Sequence, residues 1–447
     1  MEPMKYICIA CITEPFLRCE IESKASNDYS CDYCTGDGPA APISAVATRC
    51  NEVLHAFYDD SSQTMAVIYH DRMPSGQDFP ETIENMAGVN GDVAADVVEV
   101  LEKEWPDEPW FVRRRTVDSP LPWEWSQMEI SLRSEARFFN PKVSGFMERI
   151  FGEIASDVTA EGLSVLVDVG PASEHRAFYR ARVFQSDQDI EKALCHPEKW
   201  LGAPSMGMGN AGRMNTAGQP AFYGASFQAT ALAEVRPPVG SQVVVARFDI
   251  VRPLKLLNLA LLAQVQIPHD ASLFDPATMA SFQRRDFLEA LSQRMTVPVM
   301  PEDQNRNYLI TQVIADYLAM HTEVNIDGIL YPSVQVSNGP HVAENMNVVL
   351  FYKAAMAIDA DLEDVTTIAE IWTSHDEGGD EYDEYDPKIY LQPLKKRRYY
   401  LASKDQSEPA LQLDPMSIVI HKVTSVTINT SPTSVRLVSP DQHGNYR

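Results

Sequence analysis

The chain lacks any long apolar run and has few basic residues for its size. No segment approaches the roughly 20 consecutive apolar residues that a membrane-spanning helix requires. The longest candidate, Leu254–Ile267, contains a lysine, an asparagine and two glutamines. Acidic residues outnumber basic ones by 63 to 37 among 447 residues, which gives a net charge of −26. Because such a surface repels phosphate backbones, the composition disfavours both a membrane protein and a nucleic-acid-binding protein.

The N-terminus does not resemble a secretion signal. Its apolar stretch, Tyr6–Ile12, is short, includes two cysteines and is followed closely by Glu14 without a cleavage site of small residues. Hydrophobic residues make up 45% of the chain and charged residues 22%, which are the proportions of a globular protein. We therefore expect a soluble cytoplasmic protein of several domains.

Cysteine is scarce in most of the chain and concentrated at its start. Five of the seven cysteines lie in the first 34 residues. Cys8 and Cys11 form one C-x2-C pair, and Cys31 and Cys34 form a second. Two such pairs supply the four thiolates of a tetrahedral, structural zinc site, whereas a secreted disulfide scaffold spreads its cysteines through a short chain. The sequence therefore predicts a zinc-binding module in residues 1–45.

Hydrophobic periodicity divides the remaining chain into three regions. Residues 46–162 carry apolar residues at helical spacing, which predicts a helical region. Residues 163–356 mix short strands and helices without the βαβ order of a doubly wound sheet, which predicts an α+β domain with a mixed β-sheet core. Residues 357–447 hold seven carboxylates within Asp376–Asp386, then the basic cluster Lys395–Arg398. These opposed charge blocks predict a solvated, mobile or self-pairing segment, followed by one or two terminal strands.

A G-x-G-x-x-G sequence at residues 207–212 lacks the context of a dinucleotide-binding turn. That motif binds a pyrophosphate only where it leaves a strand and opens a helix. The residues before it, Pro197–Pro204, do not resemble a strand, and those after it, Arg213–Pro220, do not favour a helix. We therefore expect a long loop from Pro197 to Pro220 and no Rossmann site.

Several short blocks between residues 170 and 355 together resemble the RES-domain toxin family. They are F-Y-R-A-R at 178–182, G-R-M-N at 212–215, A-F-Y-G-A-S at 221–226, T-A-L-A-E at 230–234, D-G-I-L-Y-P-S at 327–333 and N-V-V-L-F at 347–351. Members of this family resemble ADP-ribosyltransferases and destroy NAD, and some longer members carry a similar N-terminal region. The resemblance implies an ADP-ribosyltransferase-like fold for residues 163–356, with NAD as the substrate.

The resemblance also implies which residues form the site. The candidate catalytic residues are Arg180, Glu234 and Ser333. The candidate NAD-binding residues are Arg180, Arg182, Arg213, Asn215, Tyr223 and Ser333. Arg182 rivals Arg180 for the first family arginine, because it lies two positions on along the same face of a predicted strand. Met214 stands where family members commonly have a bulkier aromatic residue, and the local match departs from the family pattern there.

These residue types suit cleavage of the nicotinamide–ribose bond. Arginines pair with a pyrophosphate bidentately, and a carboxylate such as Glu234 stabilises the positive charge that develops on the ribose. Tyr223 offers a ring for the nicotinamide to stack on, and Ser333 can bond a phosphate or the nicotinamide amide. Asn347 is interpreted only as a strand cap. His321 and His341 are interpreted as structural or surface residues, since neither has a partner at metal-ligand spacing.

The sequence leaves the acceptor of the reaction open. The resemblance implies a toxin or antiphage effector that cleaves NAD by hydrolysis or by phosphorolysis with inorganic phosphate, and a separate Xre-type antitoxin as a partner. One alternative is a mono-ADP-ribosyltransferase that modifies a protein or nucleotide; such enzymes often need a second carboxylate, and the predicted helix of Glu234 holds none. Another alternative is a non-catalytic, zinc-containing interaction protein whose NAD site has decayed.

Overall fold

The computed structural model of the protein covers most of the chain. The residues it describes are 4–70, 72–106, 108–137, 139–268, 271–297, 304–321, 323–335, 344–358, 365–377, 380–393, 408–427 and 430–435. Across these ranges, no helix combines the length and the apolar character needed to span a lipid bilayer. The chain divides into two compact units, one of Met1–Val167 with Leu256–Ile326 and one of Asp168–Lys255 with Asp327–Arg447.

The helices are numbered in chain order. They are α1 (Pro15–Glu22), α2 (Ile43–Phe57), α3 (Met65–His70), α4 (Phe79–Ala87), α5 (Gly91–Leu101), α6 (Leu121–Ser134), α7 (Pro141–Phe151), α8 (Asp187–Cys195), α9 (Pro197–Leu201), α10 (Gln228–Glu234), α11 (Leu259–Leu262), α12 (Pro276–Thr296) and α13 (Gln304–Ala319). A short 3-10 helix covers Ile9–Cys11.

The strands are numbered in the same way. They are β1 (Tyr6–Cys8), β2 (Ala40–Pro42), β3 (Tyr58–Asp60), β4 (Gln77–Asp78), β5 (Trp110–Arg113), β6 (Leu166–Val169), β7 (Ala177–Phe184), β8 (Phe222–Ala225), β9 (Gln242–Ile250), β10 (Leu254–Asn258), β11 (Gly328–Pro332), β12 (Met346–Leu350), β13 (Val365–Glu377), β14 (Asp380–Pro393) and β15 (Leu411–Lys422).

The first unit is largely helical, and its helices follow the apolar stripes of the sequence. Helix α5 begins at Asn90, whose Oδ1 accepts the N–H of Val93 at 3.0 Å, a typical N-cap. The stripe Val93, Val97 and Leu101 is buried in the core that α5 shares with α1, α2 and α4. Small sheets accompany these helices, with β1 pairing β2 and with β5 between β3 and β4.

The second unit is built on one large mixed sheet. Its strand order is β15-β9-β7-β8-β12-β11-β10-β6, and two of the three points at which the chain changes unit fall within β6 and β10. Strands β7 and β9 pair antiparallel in unbroken register from Ala177↔Asp249 to Phe184↔Gln242. Strand β12 pairs antiparallel with both β8 and β11. The prediction of an α+β fold is confirmed.

Helix α10 lies against this sheet and ends just before a pair of prolines. Its inner residue Ala231 packs with Ala181 of β7, Ala225 of β8 and Val243 and Val245 of β9. The helix stops at Glu234 because Pro237 and Pro238 cannot continue it, and the backbone of Arg236 is left-handed, with φ at 44°. The last residue of α10 is therefore held above the middle of the sheet.

Other predictions from the sequence concern the loop that precedes β8 and the C-terminal region. The expected loop from Pro197 to Pro220 is wrong in its first five residues, because α9 occupies Pro197–Leu201 and buries Leu201 completely. The acidic residues Asp376–Asp386 lie in an antiparallel hairpin of β13 and β14, in which Asp376 is opposite Glu381. The expected terminal strands are represented by β15, which lies on the edge of the large sheet. The basic cluster Lys395–Arg398 lies outside the described residues.

Candidate functional site

A cavity of about 540 Å³ lies in the second unit, where α10 meets the sheet. Among its polar lining residues, strand β7 contributes two arginines beside Tyr179, β8 and β11 one tyrosine each, α10 a carboxylate and β12 an asparagine. These residues are Arg180, Arg182, Tyr223, Glu234, Tyr331 and Asn347. The sequence separates them by up to 167 residues, and the antiparallel pairing of β7, β8, β12 and β11 brings them to one place.

Arg180 is a cation that the described residues leave without a matching anion. Its Nη1 is closed off from solvent and has no hydrogen-bond partner among the residues that the structure describes. Its guanidinium carbon lies 5.1 Å from the ring centroid of Phe222, within cation–π range. Burial, and secondarily the charge of Arg182, lower the pKa of Arg180 to about 9. Since a buried arginine stays protonated in practice, this shift indicates a site that favours an incoming anion.

Arg182 lies two residues further along β7 and has a protein partner. Its Nη2 donates to the carbonyl oxygen of Gly202 at 3.3 Å, and burial lowers its pKa. The two arginines therefore share the cavity but differ in environment. Arg180 has the guanidinium nitrogen without a recorded bond, and Arg182 is tethered to the backbone that follows α9.

Glu234 is held at one of its two carboxylate oxygens. Oε1 accepts the hydroxyl of Ser333 at 2.7 Å and the side-chain amide of Asn347 at 2.8 Å. Within the described part of the chain, no hydrogen bond to Oε2 is recorded. Ser333 follows the end of β11, and its Oγ also accepts the N–H of Gln335 at 3.3 Å. The carboxylate is thus fixed from one side and retains a second oxygen for another group.

Tyr223 joins the cavity to the loop that precedes β8. Its hydroxyl donates to Oδ1 of Asn215 at 2.7 Å and accepts the N–H of Met214 at 3.0 Å. Asn215 is buried, and its amide donates to three carbonyl oxygens of the same loop. A Cβ on Gly212 would lie 2.5 Å from both the Asn215 and the Tyr223 oxygens, so this position requires glycine. The loop is therefore organised around Asn215.

The structure brings most of the expected residues together, though not all. Arg180, Arg182, Tyr223 and Glu234 line the cavity, Ser333 contacts Glu234, and Asn215 contacts Tyr223. Arg213 lies in the same loop, half-buried, but is not among the described residues that line the cavity. Neither Tyr331 nor the contact of Asn347 with Glu234 could be selected from the sequence, because each depends on which strands become neighbours.

The G-x-G-x-x-G sequence lies where the sequence analysis expected, in a loop. It follows α9 and precedes β8, and Gly207 and Gly209 bond with Gly218 across the loop at 2.8 Å. No helix begins after Gly212 in this described stretch, so the geometry of a dinucleotide-binding turn is missing here. His321 packs edge-on against Tyr317 and its Nδ1 accepts the N–H of Val324 at 3.4 Å, whereas His341 lies outside the described residues.

A second constellation, of four cysteines, lies in the first unit. The sulfurs of Cys8, Cys11, Cys31 and Cys34 all lie within 4.8 Å of one another. Three of the distances between them are 3.4, 3.8 and 3.8 Å. A tetrahedral zinc ion with Zn–S bonds of about 2.3 Å places its sulfurs about 3.8 Å apart. The four thiols therefore fit zinc.

Backbone N–H groups support the same cluster. Those of Cys8 and Tyr33 point to Sγ of Cys31 at 3.3 and 3.4 Å, and that of Gly36 points to Sγ of Cys34 at 3.4 Å. Burial opposes ionisation of Cys31, but the N–H groups of Tyr33 and Cys8, together with the thiols of Cys8 and Cys34, lower its pKa to about 7. Such bonds stabilise the thiolate form that binds metal.

Comparison with known families identifies the domain that holds the cavity. Residues 190–373 match the family model of the RES domain. The chain contains a RES domain. No curated protein and no solved structure matches the chain. The matched range includes Tyr223, Glu234, Ser333 and Asn347, whereas Arg180 and Arg182 precede it. A RES domain indicates an NAD-related, toxin-like function at the level of the family, and the paired strands β7 and β9 join the arginines to that domain.

Proposed function

We propose that this chain cleaves the nicotinamide–ribose bond of NAD, by hydrolysis or by phosphorolysis. The observation that carries the proposal is the placement of Arg180 and Glu234 in one cavity, where a cation without a recorded partner faces the same space as a half-anchored carboxylate. The RES domain, whose family acts on NAD, supports the same substrate. In this proposal Arg180 and Glu234 are the catalytic residues, and Ser333 acts through its hydrogen bond to Glu234.

Binding of NAD begins with its pyrophosphate. The protein as a whole is strongly acidic, so it can attract a dianion only through local cations. Arg180 and Arg182 supply two of them within the cavity, and Arg213 supplies a third from the loop before β8. Because Nη1 of Arg180 has no bond among the described residues, a phosphate oxygen would gain a charge-assisted hydrogen bond without displacing an existing partner. The ring of Tyr223 is the proposed support for the nicotinamide, and Asn215 holds that ring in place.

Bond cleavage then depends on Glu234. As the nicotinamide leaves, positive charge develops on the ribose, and an anion beside it stabilises the transition state. A preorganised group of this kind contributes on the order of 3–4 kcal/mol. The oxygen Oε2 is suited to this role or to orienting a water or phosphate, because Oε1 already accepts from Ser333 and Asn347. The oxygen of the water or phosphate bonds to the anomeric carbon as the nicotinamide departs with the electron pair of the broken bond, and in hydrolysis the attacking water releases one proton to solvent.

A mono-ADP-ribosyltransferase is the second candidate. Among the described residues that line the cavity there is a single carboxylate. Many transferases that modify a protein or nucleotide use two, so a single carboxylate favours a small-molecule acceptor. A non-catalytic interaction protein is the third candidate, and the presence of two arginines, Tyr223 and Glu234 in one cavity argues against it.

The four-cysteine cluster is proposed to hold a structural zinc ion. The toxin or antiphage setting, the cytoplasmic location and an Xre-type antitoxin as partner are further parts of the proposal.

The deciding experiment measures nicotinamide release from NAD by the purified chain, with and without inorganic phosphate. We expect release by the wild type and its loss in Arg180→Ala and Glu234→Gln. Arg247→Ala is a matched control, since Arg247 lies on β9 and pairs with Asp249 at 2.6 Å. Formation of ADP-ribose identifies hydrolysis, and formation of ADP-ribose 1″-phosphate identifies phosphorolysis. Nicotinamide release only when a protein or nucleotide acceptor is added would move the conclusion to the transferase.

A further inference from the structure

The contact between Asn347 and Glu234 fixes the orientation of an amide that is otherwise ambiguous. An ionised carboxylate only accepts hydrogen bonds, so the amino group of Asn347 must face Glu234, as the 2.8 Å contact from Nδ2 to Oε1 requires. The carbonyl oxygen of the same amide therefore points elsewhere. That oxygen, Oδ1, is buried and has no hydrogen-bond partner within the described ranges.

This arrangement disfavours a purely structural role for Asn347. A buried carbonyl oxygen without a hydrogen bond destabilises a folded protein, and an apolar side chain of similar shape removes that penalty. The neighbours of Asn347 on β12, Val348 and Val349, are fully buried apolar residues, so the strand itself would accept an apolar residue at this position. The favourable contact that Asn347 makes is the one to Glu234.

The sheet holds Asn347 rigidly for that contact. In β12 it lies opposite Ala225 of β8 on one side and Tyr331 of β11 on the other. Only 3% of Asn347 is exposed, so its side chain has little freedom to turn. Helix α10 and strand β12 therefore meet at a defined distance, with Glu234 and Asn347 at the junction.

We propose that Asn347 is a positioning residue for Glu234. Together with Ser333 it binds Oε1, and it thereby orients Oε2 toward the cavity where the ribose of the substrate would lie. This inference rests on the function proposed above, which requires an ionised and oriented Glu234. Asn347 acts through Glu234 and does not itself contact the reacting atoms.

The test replaces Asn347 by leucine, which keeps the approximate shape and removes both polar groups. We expect kcat for nicotinamide release to fall about 10- to 100-fold, the range for losing one hydrogen bond to a charged group, while KM for NAD changes little. The thermal midpoint should stay equal to that of the wild type or rise, because the buried oxygen is gone. A structural role predicts the opposite, a lower midpoint with kcat preserved in the folded fraction.

A second variant keeps the shape of the side chain but replaces its amide by a carboxyl group. Asn347→Asp places another carboxyl group beside Glu234, and that group donates a hydrogen bond only when it is protonated. We therefore expect activity to be lost near neutral pH and to recover in part as the pH falls, with an optimum shifted to the acidic side. Thr230→Val is the control, since the Thr230 hydroxyl on α10 donates to Asn345 and not to Glu234. It should lower the thermal midpoint and leave the shape of the pH profile unchanged.

One further measurement separates this inference from the proposed function. The side-chain amide signal of Asn347, assigned by its loss in Asn347→Leu, is recorded by NMR in the wild type and in Glu234→Gln. A signal that moves in Glu234→Gln supports the contact even if the wild type releases no nicotinamide, in which case only the proposed function fails. A signal that does not respond, or a variant Asn347→Leu whose KM rises while kcat is retained, overturns the positioning role.

Discussion

Glu234 and Ser333 are 99 residues apart in the chain and are joined by a 2.7 Å hydrogen bond in the RES domain. The serine hydroxyl donates its proton to Oε1 of the carboxylate and accepts the N–H of Gln335. The Ser333 hydroxyl therefore already donates its proton to Glu234 before a substrate binds. The sequence analysis assigned Ser333 to a phosphate or to the nicotinamide amide, and the observed contact favours an effect exerted through Glu234.

The Ser333 contact leads to a prediction about kcat. Ser333→Ala removes one of the two recorded donors to Oε1, so Glu234 should be less well oriented and kcat should fall about 10-fold or more, with a smaller change in KM. Steady-state kinetics of nicotinamide release measure both. Ser226→Ala is the control, because the Ser226 hydroxyl bonds backbone groups at Glu344 and Met346. A rise in KM without a fall in kcat would return Ser333 to the role of a substrate ligand.

The different environments of Arg180 and Arg182 predict different losses. Arg180→Met should lower kcat/KM about 10- to 150-fold, the cost of losing a hydrogen bond to a charged group, because its Nη1, which bonds none of the described residues, is the proposed phosphate ligand. The same change should not lower the thermal midpoint of the ligand-free protein, since it removes a buried, unmatched charge. Arg182→Met should affect kcat/KM less and stability more, because Arg182 bonds Gly202.

The measurement for the two arginines is the shift of the thermal midpoint with added NAD or inorganic pyrophosphate. Each ligand should stabilise the wild type and Arg182→Met, and should fail to stabilise Arg180→Met. Equal shifts in all three proteins would contradict the assignment of Arg180 as the phosphate ligand. This comparison also decides between the two arginines that the sequence left as rivals.

The strands and the helix of the site could be predicted from local sequence. Strand β9, Gln242–Ile250, coincides with a β-branched run of the sequence, a residue type that favours strands. Helix α10, Gln228–Glu234, follows a short apolar run that ends just before Pro237 and Pro238. The candidate residues within these elements came from short blocks that resemble a family. Their contacts came only from the order of the strands.

Helix α12 and the β13–β14 hairpin could not be predicted from hydrophobic periodicity. Helix α12, Pro276–Thr296, was not predicted, although Asp275 and Pro276 form an ordinary helix start, because charged and polar residues interrupt its apolar face. The β13–β14 hairpin was hidden by its carboxylates. Its rings Trp372 and Tyr385 pack edge-to-face with their centroids 5.0 Å apart, and their side chains donate hydrogen bonds to Asp187 and Gln242, so aromatic residues between acidic ones were the usable signal.

We predict that the hydroxyl of Tyr223 contributes to stability and that its ring contributes to catalysis. Tyr223→Phe removes the bonds to Asn215 and Met214 but keeps the ring, so the free energy of unfolding should fall by about 1–3 kcal/mol with little change in KM. Tyr223→Leu removes the ring as well, and kcat/KM should then fall further, by the about 1–3 kcal/mol that stacking contributes. Denaturant unfolding and steady-state kinetics on the two variants test this. Equal kinetic losses in both would rule out stacking as the role of the ring.

The geometry of the same loop predicts that Gly212 tolerates no side chain. Gly212→Ala would place a Cβ 2.5 Å from oxygens of Asn215 and Tyr223, and one of these groups must move. We expect lower stability and loss of activity together, measured by thermal unfolding and nicotinamide release. The double variant Gly212→Ala with Tyr223→Phe removes one of the two clashing oxygens, and it should recover part of the lost stability. An additive loss in the double variant would show that the clash lies elsewhere.

The four-cysteine cluster predicts that zinc stabilises the first unit. Its ligands are adjacent to core residues, since Ile7 and Ile12 are almost completely buried beside Cys8 and Cys11. Cys8→Ser should abolish a stoichiometry of one zinc per chain and lower the unfolding midpoint, because metal binding free energy contributes directly to folding. Cys19→Ser is the matched control, because Cys19 lies exposed on α1 and outside the cluster. It should keep both zinc and stability. Metal analysis with thermal unfolding measures the two quantities, and full stability of Cys8→Ser without zinc would exclude a structural metal.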